Sequence, residues 1–150
     1  MYMKISTKGR YALRLMLDVA LNSNGTAVPL RDVAQRQEIS DKYLEQIVTQ
    51  LSRAGLVRSV RGAGGGYLLT RPPEEYTVGE ILRTLEGNLA PVSCADSDDV
   101  CRCSRAAKCV TVEVWRDIQA AVSSVVDHLT LADLVARYYE KCPDDQKNDS

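Results

Sequence analysis

Residues 39–71 read ISDKYLEQIVTQLSRAGLVRSVRGAGGGYLLTR, and a change of period inside this stretch decides the fold. Ser40 is placed to cap a helix. Leu44, Ile47, Val48 and Leu51 recur at i, i+3, i+4 and i+7 as its buried stripe, and Gly55 sits where a helix end favours glycine. From Leu56 the period drops to two. LVRSVR (56–61) and GYLLTR (66–71) are β-branched or aliphatic runs around the glycines of GAGGG (62–66), which predicts a hairpin with a glycine-rich, basic tip and Arg58, Arg61 and Arg71 on or beside it. Upstream, Leu13, Met16, Leu17, Ala20 and Leu21 predict an amphipathic helix over 7–22, with Thr7 as its cap. NSNGTAVP then breaks the chain, and a short helix LRDVAQRQ follows. Three helices and a hairpin spell a winged helix-turn-helix, a mainly α DNA-binding fold over residues 1–75.

The charge distribution agrees. Residues 1–71 carry eleven Lys/Arg against five Asp/Glu, whereas 72–150 carry eight against fifteen, so a chain of net charge −1 has a basic front half. Ser40, Lys42, Tyr43, Glu45, Gln46, Thr49 and Gln50 share the solvent face of the helix after Ser40. Gln pairs with adenine, Glu accepts from the cytosine amino group, and Lys and Ser fix phosphates. Arg61 is the best wing residue for a narrow A·T minor groove.

Beyond PPEEY (72–76), TVGEILRTLEG forms a connecting helix within 76–92, ending at Gly87. A cysteine-rich loop occupies 93–110. Apolar residues at 114, 115, 118, 122, 125, 126 and 129 then predict a helix of about 18 residues, with an apolar face that a second copy of the chain would cover. Thr130 and Asp133 form a capping box for a last helix, completing 111–140, and the polar tail 141–150 is expected to fray. The apolar stretch YALRLMLDVAL is broken by Arg14 and Asp18 and lacks a cleavage site, and no apolar run reaches the roughly 20 residues of a membrane span. A cytoplasmic location is expected, with no membrane partner.

Four of the five cysteines, Cys94, Cys101, Cys103 and Cys109, fall within residues 94–109. In a reducing compartment such crowding points to metal or redox chemistry rather than disulfides. Thiolates suit zinc or iron–sulfur, but eight residues between Cys94 and Cys103 and five between Cys103 and Cys109 are a poor match to paired zinc knuckles. No nucleophile–base pair is visible, and GAGGG lies in a hairpin rather than between a strand and a helix, so an enzyme is not expected.

MKISTKGRYALRLMLDVAL, YLEQIVTQLSRAGLVRSVRGAGGGYLL and TVGEILRTLEG resemble the Rrf2 family of bacterial winged-helix regulators, nearly continuously over 3–92 and again at KCVTVEVWRDI. The resemblance implies that Glu45 and Gln46 read bases and that Arg61 lies on the wing. It is closest to the family's iron–sulfur branch, which holds a [2Fe-2S] cluster with three cysteines and a histidine, and next to its cysteine-metabolism branch, which lacks the cysteine loop. By that pattern Cys109 is the last ligand, Cys103 the middle one, and Cys94 the first, with Cys101 an alternative. The expected histidine is Val112 here, leaving the fourth ligand open between Cys101 and Glu45, with Cys142, His128, Asp96, Asp98 and Asp99 as more remote candidates. The implied function is a homodimeric repressor of iron–sulfur biogenesis genes acting on double-stranded operator DNA. The alternatives are a cluster-free regulator of cysteine or sulfur metabolism and, distantly, a small thiol or iron–sulfur oxidoreductase.

Overall fold

The helix after Ser40 organises the computed structural model, which describes residues 5–95 and 104–147. This helix, α3 (Asp41–Arg53), begins with the Ser40 hydroxyl accepting from the Tyr43 amide at 3.2 Å, and its Leu44, Ile47, Val48 and Leu51 are buried. Gly55 takes the left-handed conformation that ends it (φ 78°). Strands β1 (Val57–Val60) and β2 (Gly66–Leu69) follow, antiparallel, with Val57 opposite Leu69 and Val60 opposite Gly66. Any side chain at position 66 would collide with the Val28 backbone. That close approach lets Val28 and Tyr67 exchange two amide–carbonyl bonds of 2.9 Å, sewing the wing to the turn between the first two helices.

Those helices are α1 (Thr7–Asn22) and α2 (Leu30–Gln37). The cap of α1 is Ser6, not Thr7: Ser6 is extended and accepts from the Gly9 amide, so Thr7 is already the first helical residue. Glu86, at the end of the helix that follows the wing, accepts from both the Ser6 amide (2.9 Å) and the Ser6 hydroxyl. Asp18 of α1 is the one buried charged residue among those described, and it is fully engaged. Arg36 reaches it at 2.7 Å and Gln37 at 2.9 Å from the end of α2, so the cost of burying the carboxylate is offset by charge-assisted bonds.

The core joins Ala12, Leu15, Met16 and Val19 of α1 to the stripe of α3 and to Leu56 and Val57 at the wing's base. It extends past residue 75, for Tyr76, Ile81 and Leu131 are fully buried in it. The Tyr76 hydroxyl donates to the Leu56 carbonyl (2.7 Å) and accepts from the amides of Thr70 (2.9 Å) and Arg71 (3.1 Å), closing the hairpin from below.

Helix α4 (Val78–Glu86) starts on Thr77 and ends at Gly87. After the loop come α5 (Thr111–Val126), α6 (Leu131–Lys141) and a short α7 (Pro143–Lys147). Helix α6 carries the expected Thr130–Asp133 capping box and docks on the core through Leu131, whose amide donates to the Tyr76 carbonyl at 2.9 Å. Helix α5 touches α4 through Val122 and Val126 beside Val78 and Leu82, and through the Arg83–Asp127 ion pair. Only Val112 of α5 is buried, while Val114 and Val125 are 49% and 61% exposed. The tail expected to fray is helical instead over Pro143–Lys147. Proline opens its first turn, acids occupy that turn, and Asp145 accepts from the Tyr138 hydroxyl. No helix among the described residues is long and apolar enough to cross a membrane.

Replacing Tyr76 by Phe strands two amides and a carbonyl at the wing's base, so urea unfolding should show a loss of about 1–3 kcal/mol. The bond to Asp145 pushes Tyr138 up to about 12 from the ordinary 10.0. Its folded-state pKa is raised, so its stabilisation is complete below pH 10 and is lost as pH climbs toward 12. An ultraviolet titration should show a late tyrosine step that Asp145→Asn moves to lower pH.

Candidate nucleic-acid interface and cysteine site

The stripe that buries α3 leaves its opposite face in solvent, where Ser40, Lys42, Glu45, Gln46 and Thr49 are exposed and Tyr43 half-buried. Tyr43 packs edge-on to Tyr11 of α1 (5.5 Å between centroids, 90°), with the Arg14 guanidinium 5.3 Å from the Tyr11 ring centre. Ser40, though spent as an acceptor, keeps its own O–H to donate. An open groove of about 470 Å³ runs along this face, lined by Lys8, Lys42, Glu45, Gln46, Thr49, Gln50 and Arg53. Three cations against one carboxylate make it electropositive.

Lys8 and Arg53 were not singled out by the sequence reading. Arg53 carries a signal, one heptad beyond Gln46 on the same face, whereas Lys8 arrives only by the packing of α1 on α3. Arg58 and Arg61 stand exposed on the wing. Arg71, grouped with them on sequence, is engaged elsewhere: it bonds Glu80 (2.6 Å) and the Glu75 carbonyl (3.1 Å) and lies 4.3 Å from the Tyr76 ring centre.

Two of the four loop cysteines are described. Cys94 is half-buried in a 3₁₀ turn (Ser93–Ala95) that packs against α5. Cys109 lies one residue before Val110, the residue that leads into α5, in a cleft shared with Ser104, Arg105, Lys108 and Thr111. Its Sγ lies 3.2 Å from the Thr111 hydroxyl. That hydroxyl first, and the amides of Val112 and Thr111 after it, hold the thiol below its ordinary value, with Arg105 adding a favourable charge. Helices α1, α3, α4 and α6 begin on a Ser or Thr hydroxyl, whereas α5 has no side-chain oxygen cap and Cys109 sulfur stands at its amino end.

Cys101, Cys103, Asp96, Asp98 and Asp99 lie outside the described residues. Among the described residues no three His, Cys, Asp or Glu side chains converge. Val112, where the family's histidine is expected, is 5% exposed with its side chain turned to the interior. Glu45 lines the α3 groove, and none of the described cysteines lines it too. His128 follows the far end of α5, its Nδ1 3.1 Å from the Ser124 carbonyl, and Cys142 closes α6. Among the described residues the cleft holds one soft thiol, Cys109, beside the Thr111 hydroxyl, and Cys94 does not line it.

Comparison with known proteins gives a consistent answer. The model of the Rrf2 family, described as an iron-dependent transcriptional regulator, matches residues 5–137. The HTH-type transcriptional regulator IscR of Aliivibrio salmonicida is 41% identical over 133 residues, covering 89% of this chain and 77% of its own. The solved structure of T. potens IscR superposes with a TM-score of 0.75 at 39% identity, over 92% of this chain and 90% of that one. That of CymR, the global cysteine regulator of B. subtilis, gives 0.73 at 41%, over 89% and 97%. With the winged helix, the basic groove and these matches in agreement, the chain belongs to the Rrf2 family of DNA-binding transcriptional regulators and is not an enzyme.

Proposed function

We propose that this chain is a homodimeric repressor of iron–sulfur biogenesis genes, whose grip on operator DNA depends on a [2Fe-2S] cluster. The observation that carries the DNA reading is the electropositive groove along the exposed face of α3. In this reading Gln46 pairs with adenine, Glu45 accepts from a cytosine amino group, and Ser40, Lys42 and Tyr43 fix phosphates beside Lys8 and Arg53. Arg61 enters the adjacent minor groove from the wing. The exposed valines of α5 support pairing with a second copy, which would double the reading surface.

Cys94, Cys103 and Cys109 would hold the cluster. The fourth ligand is Cys101 or Glu45, and connectivity favours Cys101 because Glu45 faces the α3 groove. Bound there, the cluster supplies a one-electron, oxidant-labile centre. The chain's part is to present soft thiolates at the start of α5, the helix that also carries the uncovered apolar face, so that occupancy biases the arrangement of the dimer. A second reading, a cluster-free regulator of cysteine or sulfur metabolism, is favoured by Val112 in the histidine's place and by the likeness to CymR.

Anaerobic purification with visible absorption and iron and sulfide quantitation decides between them. Visible bands with iron equal to sulfide support the cluster, whereas a colourless, iron-free protein leaves the thiol reading. In the first case Cys103→Ala should lose the bands while remaining a folded dimer by sedimentation; an unfolded product would make the metal structural. Arg61→Ala should weaken operator binding by about 1–2 kcal/mol, roughly tenfold, most at sites with narrow A·T minor grooves. Fluorescence anisotropy at fixed salt measures it, and unchanged affinity would place the wing away from DNA.

A further inference from the structure

Gln50 holds an apparent defect in the α3 groove. It lines the groove with Lys8 and Arg53, yet its Oε1 is buried and accepts no hydrogen bond. A buried acceptor without a partner costs stability and calls for a reason. A carboxamide is planar, and its oxygen and amino group point apart. Burying Oε1 therefore turns Nε2 outward to the groove, where Gln50 meets a ligand as a donor alone. It cannot make the paired donor–acceptor contact with adenine that is open to the exposed Gln46.

Its place on the helix points the same way. Gln50 lies about 15 Å along the axis from Ser40, and Arg53 about one turn further. A helix-turn-helix reads base edges with the first turns of its second helix, and the major groove is about 12 Å wide, so this end of α3 meets the flanking strand. Lys8 reaches the same place from α1, which packs on α3. The groove's one carboxylate, Glu45, sits more than a turn nearer Ser40. Two cations beside a fixed neutral donor suit a phosphate.

We propose that Lys8, Gln50 and Arg53 form a site for one phosphate of the DNA backbone, and that Gln50, its oxygen turned inward, is the fixed donor that sets the register of α3. The inference rests on the DNA reading of the α3 face given above. Stability is given up at Gln50 for a contact that exists only on DNA.

The test is fluorescence anisotropy of the full chain with two probes: a random-sequence duplex pool of about 30 base pairs, three helical turns, and the duplex that the wild type enriches from it. Gln50→Leu should bind both about tenfold more weakly, because a backbone contact carries no sequence. The slope of log affinity against log salt should match the wild type, since a neutral donor displaces no counterion, whereas Lys8→Ala and Arg53→Ala should each flatten it by about one. Gln50→Lys, a donor without an acceptor, should restore affinity. The thermal midpoint of Gln50→Leu should not fall below that of the wild type, and Gln50→Met gives the same comparison should the leucine variant fold poorly. A loss confined to the enriched duplex would make Gln50 a base reader and overturn the proposal. So would unchanged affinity, or a lowered midpoint with wild-type affinity in the folded fraction. A wild type that binds neither probe overturns the DNA reading as well.

Discussion

The hydroxyl of Tyr76 is the point on which the DNA-reading half of this protein depends. It offers one proton and two lone pairs, and all three are used by the base of the wing: Leu56 just before one strand, Thr70 and Arg71 just past the other. Its ring is completely buried among the side chains of α1, α3 and α4, so the hairpin is fixed to the helices rather than hung from them. The residue's own carbonyl takes the Leu131 amide, which docks α6 on the same spot. Arg71 covers the ring and pairs with Glu80, sealing the site from the solvent side. A single side chain thus closes the sheet, roofs the core and receives the C-terminal helix.

What could be read from the sequence was whatever local chemistry specifies. Ser40, the stripe from Leu44 to Leu51 and Gly55 define α3 without reference to the rest of the chain, and the same stripe fixes which residues must face outward. The Thr130–Asp133 box and the Gly87 stop were legible for the same reason. What escaped depended on partners far along the chain. Thr7 was the expected cap, but Ser6 takes that place, held there by Glu86 eighty positions away. Asp18 reads as an interruption of an apolar run, yet it is the buried anchor between α1 and α2, because Arg36 and Gln37 close on it. Lys8 joins the groove only through tertiary packing. Arg71, on sequence a third wing cation, is withdrawn from that role by Glu80.

The two candidate sites use charge in opposite ways. Along α3 the cations are spread over an open, solvated groove, which suits a polyanion whose counterions they displace and makes binding fall steeply with salt. At Cys109 the positive influence is concentrated in a hydroxyl, two amides and Arg105 around one sulfur, which suits a compact anionic ligand atom. This second arrangement was not legible beforehand, since nothing in the residue pattern sets the Thr111 hydroxyl against the sulfur until the turn before α5 is folded.

The sewing of the wing to the α1–α2 turn through Val28 and Gly66 has a consequence for how such a protein can be regulated. With the wing, α1, α3 and α6 locked to one core, each reader is a rigid stamp whose face cannot be redrawn without melting it. In the proposed dimer the adjustable quantity is then the distance and phase between two stamps, which α5 governs from outside that core. Duplex DNA repeats its major groove every 34–36 Å or so, so it answers such a change as a vernier does. A small rotation at α5 leaves each half-site legible and puts the pair out of step.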